Sequence, residues 1–159
     1  MLDLTLVIPC YNEANRLPLD QYVDFLSHSN SVKLLLVNDG SSDNTTTVLQ
    51  KLQKQFPEKI DVLELKQNLG KAEAVRKGVQ HLSSSQTSKI GYLDADLSTT
   101  LEECVSLAQQ VVPSVPFVFG SRILKIDNQI ERKWYRFLIG RIVATVISKM
   151  LRIKVYDTQ

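Results

Sequence analysis

The chain has 159 residues, of which 43% are hydrophobic and 23% are charged, with 19 basic and 17 acidic side chains. This is the composition of one ordinary globular domain, and it excludes a disordered tail, a collagen-like fibre and a disulfide-stapled miniprotein. The net charge of +2 is too small for a protein that coats nucleic acid, so no nucleic-acid partner is expected.

Strands and helices are predicted to alternate along the chain. Apolar runs rich in β-branched residues predict strands at 4–9, 32–38, 60–65, 89–93 and 117–120, and helical periodicity predicts helices at 18–29, 45–56, 71–82 and 101–112. This alternation predicts an α/β fold, with a mostly parallel sheet flanked by helices. Ligands of such sheets bind beyond the carboxyl ends of the strands, where this chain repeatedly places polar residues.

Asp39 and Lys71 are candidate ligand-binding residues at the carboxyl edge of the predicted sheet. Residues 40–43 are of the types that commonly form turns, and a turn alone explains them. It explains Asp39 less well, because the predicted strand has already ended there, and the Asp39 carboxylate can accept a ring N–H from a base. Lys71 lies in the first turn of a predicted helix, where the helix dipole disfavours a cation by about a few tenths of a kcal/mol. That placement suggests an anion nearby, although a lysine that only reaches out to solvent remains an alternative.

Asp94 and Asp96 form the sharpest signal in the sequence. Two carboxylates at this spacing repel each other unless a cation lies between them or one is protonated, and Mg²⁺ and Mn²⁺ prefer oxygen ligands. The alternative is a turn that leads into a helix cap at Ser98 or Thr99, with Thr99 and Glu102 as a capping box. That alternative explains the threonine and the glutamate, but not the two acids.

Several other classes of site are disfavoured. No GxGxxG follows the first strand and no GxxxxGK[ST] occurs, which argues against a Rossmann dehydrogenase and a P-loop enzyme. The two cysteines have neither CxxC nor Cys/His spacing, which argues against structural zinc and fits a reducing compartment. No signal peptide or membrane-spanning segment is recognised, so a cytoplasmic location is predicted.

The C-terminal quarter is basic. Residues 122–159 carry nine basic and three acidic side chains, whereas residues 1–121 carry ten basic and fourteen acidic ones. This balance predicts an anionic partner, either a phosphate or a membrane surface, although a solvated helix face would give the same charge. Residues 131–151 can form a basic amphipathic helix that lies on a membrane, or one that packs its apolar face on the sheet.

Five ordered motifs carry a family resemblance. VIPCYNE, VNDGSSDNT, NLGKAEAVRKG, YLDADLST and FGSR closely resemble the family 2 glycosyltransferases with a GT-A fold, over residues 6–159. The DADLST form, the GSR motif and the basic segment ending in VYDTQ resemble the dolichyl-phosphate or polyprenyl-phosphate β-glucosyltransferase and mannose synthase branch. The resemblance implies one GT-A domain over 1–159 with a Rossmann-like sheet. Residues 1–122 would bind the nucleotide sugar, residues 123–159 would form the acceptor and membrane side, and the C-terminal part would be truncated relative to the family.

The function implied by this resemblance is metal-dependent hexosyl transfer with inversion at the anomeric carbon. The donor would be a nucleotide sugar, preferably a UDP-sugar carrying glucose rather than mannose, the acceptor a polyprenyl or dolichyl phosphate, and the cofactor Mg²⁺ or Mn²⁺. Peripheral contact at the cytoplasmic face of a membrane would follow. The alternatives are a family member that uses a non-lipid glycan acceptor in cell-envelope biosynthesis, and a catalytically incomplete nucleotide-sugar-binding fragment.

The resemblance also implies roles for individual residues. The nucleotide-sugar site would consist of Pro9, Tyr11, Glu13, Asp39, Lys71, Asp94 and Asp96, with Asp94 and Asp96 as metal ligands. The catalytic group would consist of Asp96, Arg122, Arg136 and Asp157, with the arginines on phosphate and Asp157 near the sugar and acceptor. Ser98 stands where mannose synthases of this branch often carry a glutamine, which puts a third protein ligand to the metal in doubt.

Overall fold

The computed structural model describes residues 3–29, 31–83 and 87–120, and the fold is given for these. Its elements are β1 (Leu4–Cys10), α1 (Leu19–His28), β2 (Val32–Asn38), α2 (Thr45–Gln55), β3 (Ile60–Glu64), α3 (Lys71–Leu82), β4 (Lys89–Tyr92) and α4 (Leu101–Gln109). The four strands are parallel and lie in the order β3-β2-β1-β4, so the predicted alternation and parallel sheet are confirmed. These elements belong to one compact unit, Met1–Val118, while the prediction of a single domain over 1–159 stays a prediction.

Side chains of β1 and β2 are buried on both faces of the sheet. On one face Leu6 and Leu36 pack in a core that includes Tyr22 of α1, and on the other face Val7 and Leu35 pack in a second cluster. Helices on both sides of the sheet explain why these strands are continuous apolar runs rather than alternating ones. Both central strands are therefore rigid supports for whatever follows their carboxyl ends.

The predicted fifth strand, 117–120, is wrong. Residues 116–120 form no strand, and Val112 and Val115 instead pair in an isolated antiparallel bridge that turns the chain back after α4. Pro116 follows this turn and has no N–H to donate to a strand ladder. Hydrophobic β-branched and aromatic residues alone were therefore not sufficient to make a strand here.

Helix α4 begins at Leu101, as predicted, but its capping box lies one residue later than the alternative reading of Thr99 and Glu102 placed it. The capping box is formed by Thr100, whose Oγ1 accepts the Glu103 N–H at 3.2 Å, and by Glu103, whose Oε2 accepts the Thr100 N–H at 2.8 Å. Capping at Thr100 makes the buried Leu101 the first helical residue and places its side chain in the core. Among the described residues, no helix is both long enough and apolar enough to cross a bilayer.

Candidate functional site

The loops at the carboxyl edge of the sheet enclose a cavity of about 430 Å³, a size typical of small-molecule sites. All the residues predicted for the nucleotide-sugar site line it, namely Pro9, Tyr11, Glu13, Asp39, Lys71, Asp94 and Asp96. Residues that follow β1, β2, β3 and β4 thus reach one space, as the parallel topology requires. Their roles in binding stay predictions. Of the predicted catalytic group only Asp96 is described, since Arg122, Arg136, Asp157 and the helix predicted at 131–151 lie outside the described residues.

Hydrogen bonds join the loop after β1 to the loop after β2. Asn12, in the left-handed region at φ 53°, donates its N–H to Ser41 Oγ at 3.0 Å and accepts the Ser42 N–H on Oδ1 at 2.9 Å. The Glu13 N–H donates to Thr45 Oγ1 at 2.8 Å. The backbone on either side of Asn12 is therefore fixed, and with it the positions of two cavity-lining side chains.

Asp39 is buried, with 2% of its surface exposed, and its carboxylate accepts two backbone hydrogen bonds. Oδ1 accepts the Leu69 N–H and Oδ2 accepts the Gly70 N–H, both at 2.9 Å. The N–H of Asp39 itself donates to the Cys10 carbonyl at 2.8 Å. The predicted contact to a base N–H stays chemically possible because each carboxylate oxygen has further acceptor capacity. No pattern in the sequence indicated the two backbone partners.

Gly40 is packed against the loop that precedes α3. Its φ is 63°, and a Cβ on it would lie 2.5 Å from the Asn68 nitrogen. Gly70 also has a positive φ, of 87°, but a Cβ there would meet nothing within 4 Å. A side chain at Gly70 would therefore cause backbone strain alone, whereas a side chain at Gly40 would cause both backbone strain and steric overlap.

Gly40→Ala is expected to destabilise the protein more than Gly70→Ala. Both variants bear the strain of a non-glycine residue at positive φ, about 1–3 kcal/mol, but only Gly40→Ala also forces backbone apart. Urea denaturation of both variants measures the difference in the free energy of unfolding. Equal losses would contradict the close packing of Gly40 on this loop.

Hydrogen bonds from Tyr22 and within the turn itself hold the turn that carries Asp94 and Asp96. The hydroxyl of Tyr22, a buried residue of α1, donates to the Ala95 carbonyl at 3.0 Å, and Asp96 Oδ1 accepts the Ser98 N–H at 3.0 Å. Burial, with smaller contributions from Cys10, Asp96 and Glu13, raises the pKa of Tyr22 well above its usual range, so the phenol stays a neutral donor. Ala95 is buried while the acids on either side line the cavity.

Lys71, the first residue of α3, forms an ion pair with Asp94. Its Nζ lies 2.6 Å from Asp94 Oδ1, with the two side chains 57% and 40% exposed. A cation therefore lies beside the carboxylate that the sequence predicts as a metal ligand. A lysine that only extended into solvent would not form this ion pair.

Among the described residues, the cavity lining carries more negative than positive charge. Its charged side chains are the carboxylates Glu13, Asp39, Asp94 and Asp96 and the cations Arg16 and Lys71. Arg16, whose Nη2 lies 2.7 Å from Glu13 Oε1, was not predicted as a site residue, although a basic residue soon after β1 was a usable signal. Cys10 was not predicted either, and its burial, aided by the charge of Glu13, raises the pKa of the thiol to about 12. Cys10 is therefore a neutral lining group rather than a nucleophile.

Among the described residues, no group of three or more His, Cys, Asp or Glu side chains could hold a metal ion. Two carboxylates, Asp94 and Asp96, nevertheless face the same cavity. Magnesium in proteins is commonly bound by one or two carboxylates together with substrate phosphates. The donor set fits a cation that arrives with a phosphorylated ligand, and it does not fit a closed structural metal site.

The sequence is similar to one protein family and to several characterised proteins. The chain matches Glycosyl transferase family 2 over residues 5–156. Dolichyl-phosphate beta-glucosyltransferases of Mus musculus and Drosophila melanogaster are 34% and 37% identical to it, over 84% and 87% of this chain and 45% and 46% of those proteins. A polyprenol monophosphomannose synthase of Mycolicibacterium smegmatis is 27% identical, over 95% of this chain and 57% of that protein. The chain thus spans about half the length of the curated relatives it matches.

Two solved structures share the fold at low sequence identity. A mannosyltransferase of Pyrobaculum calidifontis, in complex with GDP-Man and Mn²⁺, has a TM-score of 0.50 and 21% identity over 59% of this chain and 27% of that one. S. aureus TarS has a TM-score of 0.52 and 16% identity over 68% of this chain and 20% of that one. The predicted α/β fold of the GT-A type is confirmed.

Proposed function

Since the chain belongs to glycosyl transferase family 2, we propose that its cavity binds a nucleotide sugar and that the protein transfers glucose from UDP-glucose to dolichyl or polyprenyl phosphate. One observation carries the proposal: seven residues chosen from separate motifs line a single cavity at the carboxyl edge of the sheet. The names of the relatives support the lipid phosphate as acceptor and glucose as the sugar. Inversion at the anomeric carbon and a location at the cytoplasmic face of a membrane belong to the same proposal.

The nucleoside half of the donor is assigned to the loops after β1 and β2. Pro9, Tyr11, Glu13 and Asp39 line this part of the cavity. Tyr11 is 42% exposed, so its ring has a free face on which a base can stack. The fixed backbone around Asn12 means that this half of the site is preorganised, which lowers the entropic cost of binding.

The diphosphate half is assigned to Lys71, Asp94 and Asp96. Among the described residues, four carboxylates and two cations line the cavity, a balance that disfavours a diphosphate and that a divalent cation arriving with it would offset. Mg²⁺ or Mn²⁺ held by Asp94 and Asp96 would supply that charge and stabilise the negative charge on the leaving nucleoside diphosphate. Lys71 would bind a phosphate oxygen, and Arg16 offers a second cation at the same cavity.

The acceptor half is assigned to the C-terminal quarter of the sequence. A lipid phosphate oxygen is already anionic near neutral pH, so transfer needs positioning and cationic contacts more than a strong general base. Arg122 and Arg136 would hold phosphate, Asp157 would lie near the sugar and acceptor, and the basic segment 131–151 would contact the membrane surface. Arginine suits the phosphate role because its guanidinium can donate two parallel hydrogen bonds.

Transfer of radiolabelled glucose tests this function directly. The chain is incubated with labelled UDP-glucose, Mn²⁺ and dolichyl phosphate in detergent, and label is counted in the organic phase, with labelled GDP-mannose as the parallel donor. We expect organic-phase label from UDP-glucose that requires both the lipid and the metal. Label from GDP-mannose alone would contradict the assigned sugar. Binding of UDP-glucose without transfer would favour a catalytically incomplete nucleotide-sugar-binding fragment.

A further inference from the structure

Asp39 faces the loop before α3, and this orientation points to a role distinct from base recognition. We propose that Asp39 is a positioning residue whose carboxylate fixes the backbone of Leu69 and Gly70 and so places Lys71 for the diphosphate of the donor. This inference rests on the proposed nucleotide-sugar site. It adds to that site a connection between the end of β2 and the phosphate side of the cavity.

The Asp39 carboxylate accepts the N–H groups of two consecutive residues in this loop. Gly70 is the N-cap of α3 and has no side chain to cap the helix, and its φ of 87° orients its own N–H towards Asp39. Leu69 donates to the other oxygen of the same carboxylate, and Asn68 Oδ1 shares the Gly70 N–H at 2.9 Å. One buried side chain thus holds both N–H groups, each at 2.9 Å. Asp39 therefore fixes two consecutive peptide units of the loop.

Lys71 follows these peptide units directly. The Gly70 carbonyl accepts the Ala74 N–H at 3.0 Å, so a shift of Gly70 also shifts the first turn of α3. The Lys71 ammonium is 2.6 Å from Asp94 across the cavity. A loosened loop would therefore displace the ammonium from the phosphate side while leaving the β1 loop, which lines the nucleoside side, in place.

A comparison of two ligands separates this role from base recognition. Uridine lacks the diphosphate, so a residue that acts through Lys71 changes UDP affinity without an equal change in uridine affinity. A residue that only accepts a base N–H changes both affinities by the same factor. The ratio of the UDP affinity to the uridine affinity is therefore the quantity to measure.

The test measures both affinities, in Mn²⁺, for the wild-type chain and for Asp39→Asn, Lys71→Met and the double variant. We expect Asp39→Asn to lower the ratio about tenfold, and to lower it little further once Lys71 is replaced. Asp61→Asn, which removes an exposed carboxylate of β3, should leave the ratio unchanged. An equal loss for both ligands, or fully additive losses in the double variant, would overturn the proposal.

Two further measurements keep the test decisive. The first applies if Asp39→Asn does not fold. Gly40→Ala leaves the Asp39 carboxylate intact but pushes the same loop away at Gln67, so it should also lower the ratio of UDP to uridine affinity. An unchanged ratio would overturn the proposal.

The second applies if the wild-type chain binds neither ligand. The proposed function then fails, and amide hydrogen exchange tests the positioning role alone. Exchange at Leu69 and Gly70 should be about tenfold faster in Asp39→Asn than in the wild type, with β1 amides unchanged. Unchanged exchange at these two amides would overturn the role of Asp39.

Discussion

Replacing Asp96 by asparagine is expected to abolish the Mn²⁺-dependent part of UDP-glucose binding, and glucosyl transfer with it. Asparagine keeps the oxygen that accepts the Ser98 N–H, so the turn is retained while one of two carboxylates assigned to the cation loses its charge. We expect the Mn²⁺-dependent gain in affinity to fall by about 100-fold, or about 2.7 kcal/mol. Calorimetric titration of UDP-glucose with and without Mn²⁺ measures this gain.

The matched control for this variant is Asp61→Asn, which makes the same change of charge at an exposed position on β3. It should bind UDP-glucose as the wild type does, with the same dependence on Mn²⁺. A full Mn²⁺-dependent gain in Asp96→Asn would show that Asp96 does not hold the cation. The assignment of the metal to this turn would then be wrong.

Replacing Lys71 by methionine is expected to weaken UDP binding by about 10- to 100-fold, the usual cost of losing a hydrogen bond to a charged group. Methionine keeps an unbranched chain of similar length but removes one of the two cations that the described residues contribute to the cavity lining. Uridine, which carries no phosphate, should bind as well as before. Competition titrations of the two ligands measure both affinities.

Lys77→Met is the control on the same helix, since Lys77 lies outside the cavity lining and its Nζ is 3.9 Å from Glu73 on the surface of α3. It should leave both affinities unchanged. If Lys71→Met binds UDP as tightly as the wild type, Lys71 serves only as the ionic partner of Asp94. The phosphate role would then have to pass to another cation, such as Arg16.

Local patterns were enough to predict most of the described fold. The four strands and four helices form where the apolar periodicity placed them, because both faces of the central strands are covered and each helix buries one face. The fifth strand was wrong because apolar content alone does not make a strand, and the chain instead turns at the bridge of Val112 and Val115 just before this segment. The cap of α4 shifted by one residue because burial of Leu101, a tertiary requirement, decided between adjacent threonines.

The candidate site was predictable as a set of residues but not as a set of contacts. Parallel topology brings the ends of the strands together, so residues from separate motifs could be assigned to one cavity. The hydrogen bonds from Leu69 and Gly70 to Asp39, and the ion pair of Lys71 with Asp94, join residues far apart in sequence and depend on loop conformation. The spacing of residues along the chain does not encode that conformation.

The central claim is that the cavity at the carboxyl edge of the sheet is a metal-dependent nucleotide-sugar site. Calorimetric titration of the wild-type chain with UDP-glucose, with Mn²⁺ and then with the metal removed by a chelator, tests it most directly. We expect saturable binding of one donor per chain with Mn²⁺ and much weaker binding without it. A folded chain that does not bind UDP-glucose in Mn²⁺, or that binds it equally well without metal, would contradict the claim.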